Sequence, residues 1–165
     1  MSNPTGSLEV LLMTASIREA RPEDAVEISA LIISAIKETN AKDYPASFIE
    51  KLPENFSPEQ IASRMLARET YISVKDGKIT GTASLDKSTI RSVFVMPRLQ
   101  GLGIGLALME HIEELAAKNK IKELTVPSSI TAEGFYQKLG YAKVREGYEG
   151  VEKIIIMSKI TSPSN

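Results

Sequence analysis

The sequence predicts an α/β fold of the α+β type, one domain in which a mixed sheet is covered by helices. Two observations predict it. Three apolar segments between residues 71 and 95 follow one another across short turns, which join antiparallel neighbours. The third runs into a glycine-rich loop, a strongly amphipathic helix and a further strand. Such a strand returns by a crossover and lies parallel to the strand it left. A chain of 165 residues is long enough to bury one core without disulfides or metals.

The elements follow in order. Residues 1–14 read as a leader, either a frayed tail or an extra strand, with Met13 as a second candidate start. Ser16 to Ala20 is a short strand. Arg21-Pro22-Glu23-Asp24 opens a helix, because proline suits the first helical position and acidic residues suit the positive end of the dipole. Ile28, Leu31, Ile32, Ala35 and Ile36 then fall on one buried face. Asn40 to Phe56 is irregular, broken at Tyr44-Pro45 and Leu52-Pro53. Ser57-Pro58-Glu59-Gln60 has the form of a capping box for a helix to about Arg68. Strands are expected over Tyr71–Val74, Ile79–Leu85 and Thr89–Val95, with turns at Asp76-Gly77 and Asp86-Lys87-Ser88. After the glycine loop, Ile104, Leu108, Ile112, Leu115 and Ala116 mark a helix face. Glu123–Val126 is a strand, Thr131–Leu139 a short helix closed by Gly140, and Tyr141–Val144 and Lys153–Ser158 the last strands. The domain thus spans 15–160, and 161–165 is a loose tail.

Composition narrows the function classes. Lys and Arg number 20 against 21 Asp and Glu, which offers no electrostatic case for nucleic acid or a membrane surface. Without cysteine there is no thiol nucleophile and no thiolate metal site; the usage fits a reducing, cytoplasmic setting. One histidine, His111, leaves little for a metal, and none is expected. By helical spacing it sits at the border of the apolar face, a boundary residue rather than a base. No apolar run approaches the roughly 18 residues of a membrane helix.

The loop Gln100-Gly101-Leu102-Gly103-Ile104-Gly105 is the main chemical signal. A Walker loop would continue with lysine and a hydroxyl residue, but Leu106-Ala107 follow Gly105. The dinucleotide fingerprint needs glycine or alanine at its sixth position, and counting from Gly101 or Gly103 gives Leu106 or Leu108. What remains is a strand, a loop of exposed amides and a helix N-terminus, a combination that binds anions through backbone rather than side chains. A tight strand-to-helix turn is the plainer alternative.

Gln100-x-x-Gly103-x-Gly105, preceded by Val93-Phe94-Val95-x-Pro97, resembles the signature of the GNAT superfamily of N-acetyltransferases. Ala132-Glu133-Gly134-Phe135-Tyr136-Gln137-Lys138-Leu139-Gly140-Tyr141 is similar to a second segment of that family, at the family's spacing. The resemblance covers nearly the whole chain, from about Ser16 to Ile160. Two departures stand out. Ser129 lies where the family often has asparagine, and the strand Thr89–Val95 holds no acidic residue where many relatives carry a base.

The resemblance implies a single domain with helices on both faces of a mostly antiparallel sheet, whose two central parallel strands splay apart. It implies acetyl-CoA as co-substrate, direct attack by an amine in a ternary complex, and a small-molecule or peptide amine as acceptor. The pyrophosphate would meet the amides of Gly101, Leu102, Gly103, Ile104, Gly105 and Leu106, with Gln100 as a neutral donor, Ser129 as a hydroxyl contact and Lys138 near the ribose phosphate. An oxyanion donor is expected at the amide of Phe94 or Val95, and Tyr136 as the acid that protonates the leaving thiolate. Glu69 and Asp86 are candidate bases, with a relayed water as the alternative. Tyr44 falls in the region that lines acceptor pockets in relatives. Homodimers are common in the resembled family. A non-catalytic acyl-CoA-binding or regulatory module on the same fold is the alternative reading.

Overall fold

A computed structural model describes residues 15–39 and 41–161. The expected leader and residues 162–165 of the expected tail lie outside them. Strand β1 (Ser16–Glu19) leads through a 3-10 turn (Pro22–Asp24) into α1 (Ala25–Thr39). The Asp24 carboxylate accepts from the Arg21 amide at 2.7 Å and pairs with Arg18 at 2.8 Å, which fixes the entry into the helix. A second 3-10 turn (Ala41–Asp43) precedes the short helices α2 (Ala46–Glu50) and α3 (Leu52–Asn55), so the irregular stretch is broken where its prolines stand. Helix α4 (Pro58–Ala67) is capped by the Ser57 hydroxyl, which accepts from the Gln60 amide at 3.2 Å.

Strands β2 (Glu69–Lys75), β3 (Lys78–Asp86) and β4 (Thr89–Val95) form the expected antiparallel meander. Asp76 and Gly77 both have positive φ, 51° and 74°, as a two-residue hairpin turn of primed type demands. A 3-10 turn (Pro97–Leu99) and the glycine loop lead to α5 (Ile104–Lys118), then β5 (Glu123–Ser128), α6 (Glu133–Lys138), β6 (Ala142–Glu149) and β7 (Glu152–Ile160). Among the described residues the sheet has seven strands in the order β1-β2-β3-β4-β5-β7-β6, of which only β4 and β5 are parallel neighbours.

The sheet carries a core on each face, and strand alternation sorts residues between them. Tyr71, Ala83, Leu85, Val93 and Val95 pack with Leu108, Met109 and Ile112 of α5. Ile72, Ile79 and Phe94 pack with Ile28, Ile32 and Ile36 of α1. His111 is half-buried at the margin, its ring 4.6 Å from that of Tyr71. Buried hydroxyls inside the sheet find one another: Thr70 with Ser84 at 3.0 Å, and Thr80 with Ser73 at 3.0 Å.

The sequence-based boundaries fall short at the C-terminal hairpin. Strand β6 continues to Glu149 and β7 starts at Glu152, around a turn at Gly150 with φ 59°. Residues Arg145 to Glu149 show no apolar alternation because β6 is an edge strand exposed along most of its length. Thr161, placed in the tail, still donates its amide to Lys122 at 3.0 Å.

Candidate active site

The site begins where the two parallel strands part. Strands β4 and β5 share a single register pair, Thr89 with Thr125, held by the Thr125 amide donating to the Ser88 carbonyl at 3.0 Å. Beyond it β5 pairs only with β7, and β4 only with β3. Thr125 aims its N–H at β4, so strand alternation aims the nitrogen of Pro127 the same way, into the gap. Pro127, opposite Ile156 of β7, therefore removes no donor from the β5–β7 ladder.

The opposite wall of the gap presents free amides. The Met96 amide donates to Thr80 at 2.9 Å, and antiparallel alternation makes Phe94–Thr82 and Arg91–Ser84 hydrogen-bonded pairs. Between those pairs, Ser92 and Val93 together oppose Ala83, a β-bulge with Ser92 at φ 54°. The amides of Ser92, Val93 and Val95 thus lie outside the β3 ladder. Of the two amides expected to serve as oxyanion donor, that of Phe94 aims at β3 and that of Val95 lies on the open edge, as does that of Val93.

A cavity of about 310 Å³ occupies the gap. Ile90 to Phe94 form one wall, Val126, Pro127, Ser129, Ala132 and Tyr136 another, and Tyr44, Phe48, Phe56, Arg64, Arg68, Glu149 and Glu152 close the far side. Tyr136 is 5 % exposed, edge-on to Phe135 and Tyr141. Burial raises its hydroxyl above the ordinary phenol value, so it holds its proton throughout the neutral range.

The far side carries two carboxylates not singled out from the sequence, Glu149 and Glu152. Burial raises Glu152 to about 7; the Tyr44 hydroxyl beside it pulls the value down, while Glu149 and Asp43 push it up. The Tyr44 hydroxyl is in turn raised, chiefly by burial and then by Glu152. Tyr44 stacks on Phe48 at 4.5 Å, so the predicted acceptor-side tyrosine does line the cavity. Glu149 pairs with Arg91 at 3.0 Å. Neither Glu69 nor Asp86 lines this cavity. Glu69 opens β2 opposite Leu85 and borders a separate hollow, and Asp86 lies at the β3–β4 hairpin, 3.9 Å from the Arg91 guanidinium. The signal in the sequence was the run Glu149-Gly150-Val151-Glu152, a glycine turn between two carboxylates.

The glycine loop lies at the other end of β4. Gly101 and Gly103 have φ of 81° and 88°, so the left-handed backbone itself requires glycine at both. Gly105 answers to packing instead: a Cβ there would come within 3.2 Å of Phe135 Cζ and 3.6 Å of Val95 Cγ2. No side chain caps α5 and no acid stands in its first turn, so the amides of Ile104, Gly105 and Leu106 are open. Leu102, half-buried, joins the two left-handed glycines. Gln100 points elsewhere than expected, its Nε2 donating to Thr39 Oγ1 at 3.1 Å and to the Val95 carbonyl at 3.4 Å. The Ser129 hydroxyl accepts from the Ala132 amide at 3.2 Å and shapes the turn into α6. Lys138 is exposed on the last turn of α6. Among the described residues no group of three or more metal-capable side chains comes together, and no helix is long and apolar enough to cross a membrane.

Comparison with known proteins accords with this geometry. Residues 40–159 match the model of the acetyltransferase (GNAT) domain. The chain is 25% identical over 133 residues to the uncharacterized N-acetyltransferase YafP of Escherichia coli (strain K12), covering 79% of this chain and 83% of that protein. The structure superposes on a GCN5-related N-acetyltransferase from Rhodopseudomonas palustris with TM-score 0.83 and 27% identity, over 89% of this chain and 96% of that one. It also superposes on the PaiA N-acetyltransferase from Thermoplasma acidophilum, solved in complex with coenzyme A, with TM-score 0.77 and 21% identity, over 90% and 99% of the two chains.

Proposed function

Since the chain belongs to the GNAT family of acetyltransferases, an acyltransferase family with acetyl-CoA as co-substrate, we propose that it acetylates a primary amine by direct attack within a ternary complex. The observation that carries this reading is the parting of β4 and β5 after Thr89–Thr125, with unpaired backbone amides on the β4 side and an uncapped helix N-terminus beyond. The acetyl thioester supplies an activated carbonyl; the remaining chemistry belongs to the protein. The open amides of Ile104, Gly105 and Leu106 would hold the pyrophosphate, helped by the helix dipole. The amides of Val93 and Val95 would face the carbonyl oxygen, where a fixed donor stabilises the charge that develops as the amine adds.

Two proton movements complete the transfer. The acceptor ammonium must lose a proton before its nitrogen can form the new C–N bond. Glu152, raised to about 7 and lining the same cavity, is suited to take it. As the C–S bond breaks, the Tyr136 hydroxyl would donate to the departing thiolate. Both residues line one cavity, which supports a base and an acid acting on the same transfer. A covalent acetyl-enzyme on cysteine is excluded, since the chain has none.

The test is thermal unfolding with and without acetyl-CoA, followed by release of free CoA thiol across a panel of amines. Ligand at 100 times its Kd should add about 2.7 kcal/mol of stability. No shift at millimolar acetyl-CoA would overturn the reading.

A further inference from the structure

The acceptor side of the cavity holds three arginines, and only one of them is neutralised. Arg91 pairs with Glu149 at 3.0 Å and stands 3.9 Å from Asp86. Arg64 and Arg68 have no carboxylate within 4 Å among the described residues. Arg64 lies over the Phe56 ring at 5.0 Å and donates to the Asn55 carbonyl at 2.6 Å. Arg68 donates to the Ser92 hydroxyl at 3.4 Å, a long contact at the bulge itself. Arg64 and Arg68 are both half-buried; Arg68 feels its own burial, then the repulsion of Arg91 and Arg64, and is attracted by Asp86 and Glu149, which are themselves engaged with Arg91. Half-buried, mutually repelling cations are costly without an anion between them. Among the described residues Glu152 lies against Tyr44 and forms no ion pair with either arginine.

We propose that the acceptor is a small amine that also carries an oxyanion, a carboxylate or phosphate a few bonds from the nitrogen, with α-amino acids as the simplest class. The guanidinium forks of Arg64 and Arg68 take the oxyanion, a group they match in planarity and donor spacing. The nitrogen is thereby set between the bulge and Glu152. Arg68 is the positioning residue, because its contact with Ser92 places its fork next to the amides that face the reacting carbonyl. The same charges reject polycations, since a polyamine or aminoglycoside would bring further positive charge against unneutralised arginines. This inference rests on the acetyl-transfer reading above.

The experiment pairs each amino acid with its C-terminal amide, and adds phosphoethanolamine, ethanolamine and spermidine. Binding to the CoA-loaded protein is measured by calorimetry, and turnover by CoA release from acetyl-CoA. The acids should bind and react at least roughly tenfold better than their amides, as expected for one charge-assisted pair. Phosphoethanolamine against ethanolamine separates phosphate from carboxylate as the preferred oxyanion. Arg68→Gln should erase the preference through KM, leaving acetyl-CoA stabilisation intact, and Arg68→Lys should restore it in part. Preference for the acids in binding with no CoA release would sustain this inference while removing the catalytic reading. Equal or better use of amides or spermidine, no preference among the pairs, or an unchanged preference in Arg68→Gln would overturn it.

Discussion

At the scale of single residues, the proposed chemistry rests on Tyr136 and Glu152. Tyr136→Phe removes one hydroxyl from a buried ring and leaves the packing against Phe135 and Tyr141 in place. Turnover should fall by about a hundredfold or more, with little change in acetyl-CoA affinity; steady-state kinetics beside a binding isotherm will show the split. Glu152 makes a prediction in pH. In its proposed role as base the carboxylate is the competent form, so kcat/KM should rise with pH through about 7, and Glu152→Gln should flatten that limb. Stability runs the other way. A carboxyl group held above its unfolded value binds its proton more tightly in the folded state, so its contribution is complete below about pH 4 and is lost as pH rises through 7. Denaturation at pH 5 and pH 8 should therefore show a smaller loss for Glu152→Gln than for the wild type. The placement of Tyr136 on a short helix closed by glycine was legible in the sequence, and Gly140 at φ 97° closes it. The placement of Glu152 on the cavity was not, because it depends on the β6–β7 hairpin, and nothing in the periodicity of an exposed edge strand announces where that strand ends.

At the scale of elements, the glycine loop and the bulge do different work from what residue type alone implies. The three glycines read alike in sequence, yet Gly101 and Gly103 answer to backbone angle and Gly105 to the Phe135 ring. Gly103→Ala should cost about 1–2 kcal/mol in chemical denaturation, the penalty of a left-handed backbone with a Cβ, and should weaken acetyl-CoA binding. Gly105→Ala should also destabilise, but Phe135 is 37% exposed and can yield; pairing it with Phe135→Leu should recover most of the loss. A failure of that rescue would mean that the Val95 contact, not the ring, sets the limit. The succession of elements along the chain, the antiparallel meander and the parallel crossover were legible from turn lengths and apolar spacing; the place of β7 between β5 and β6 was not. The bulge at Ser92–Val93 was not, because it is set by the β3–β4 register across the sheet, and Ser92 is an ordinary residue for a strand interior. That one inserted residue leaves the amides of Ser92 and Val93 side by side on the open edge of β4.

At the scale of the whole molecule, the two-faced core holds a sheet that is continuous everywhere except where β4 and β5 separate. The discontinuity is stable because each strand satisfies its backbone on the outer side, β4 with β3 and β5 with β7, and because Pro127 spends no ladder donor on the inner side. The glycine loop lies at one end of this opening, and the aromatic and arginine wall with Glu152 at the other. The proposed function brings donor and acceptor together at the bulge. The most direct test of that claim is release of free CoA thiol from acetyl-CoA in the presence and absence of the amine panel. The account predicts thiol release that depends on the amine, saturates with it, and falls sharply in Tyr136→Phe. Thiol release that ignores the amine, or none at saturating acetyl-CoA with every amine tried, would contradict it.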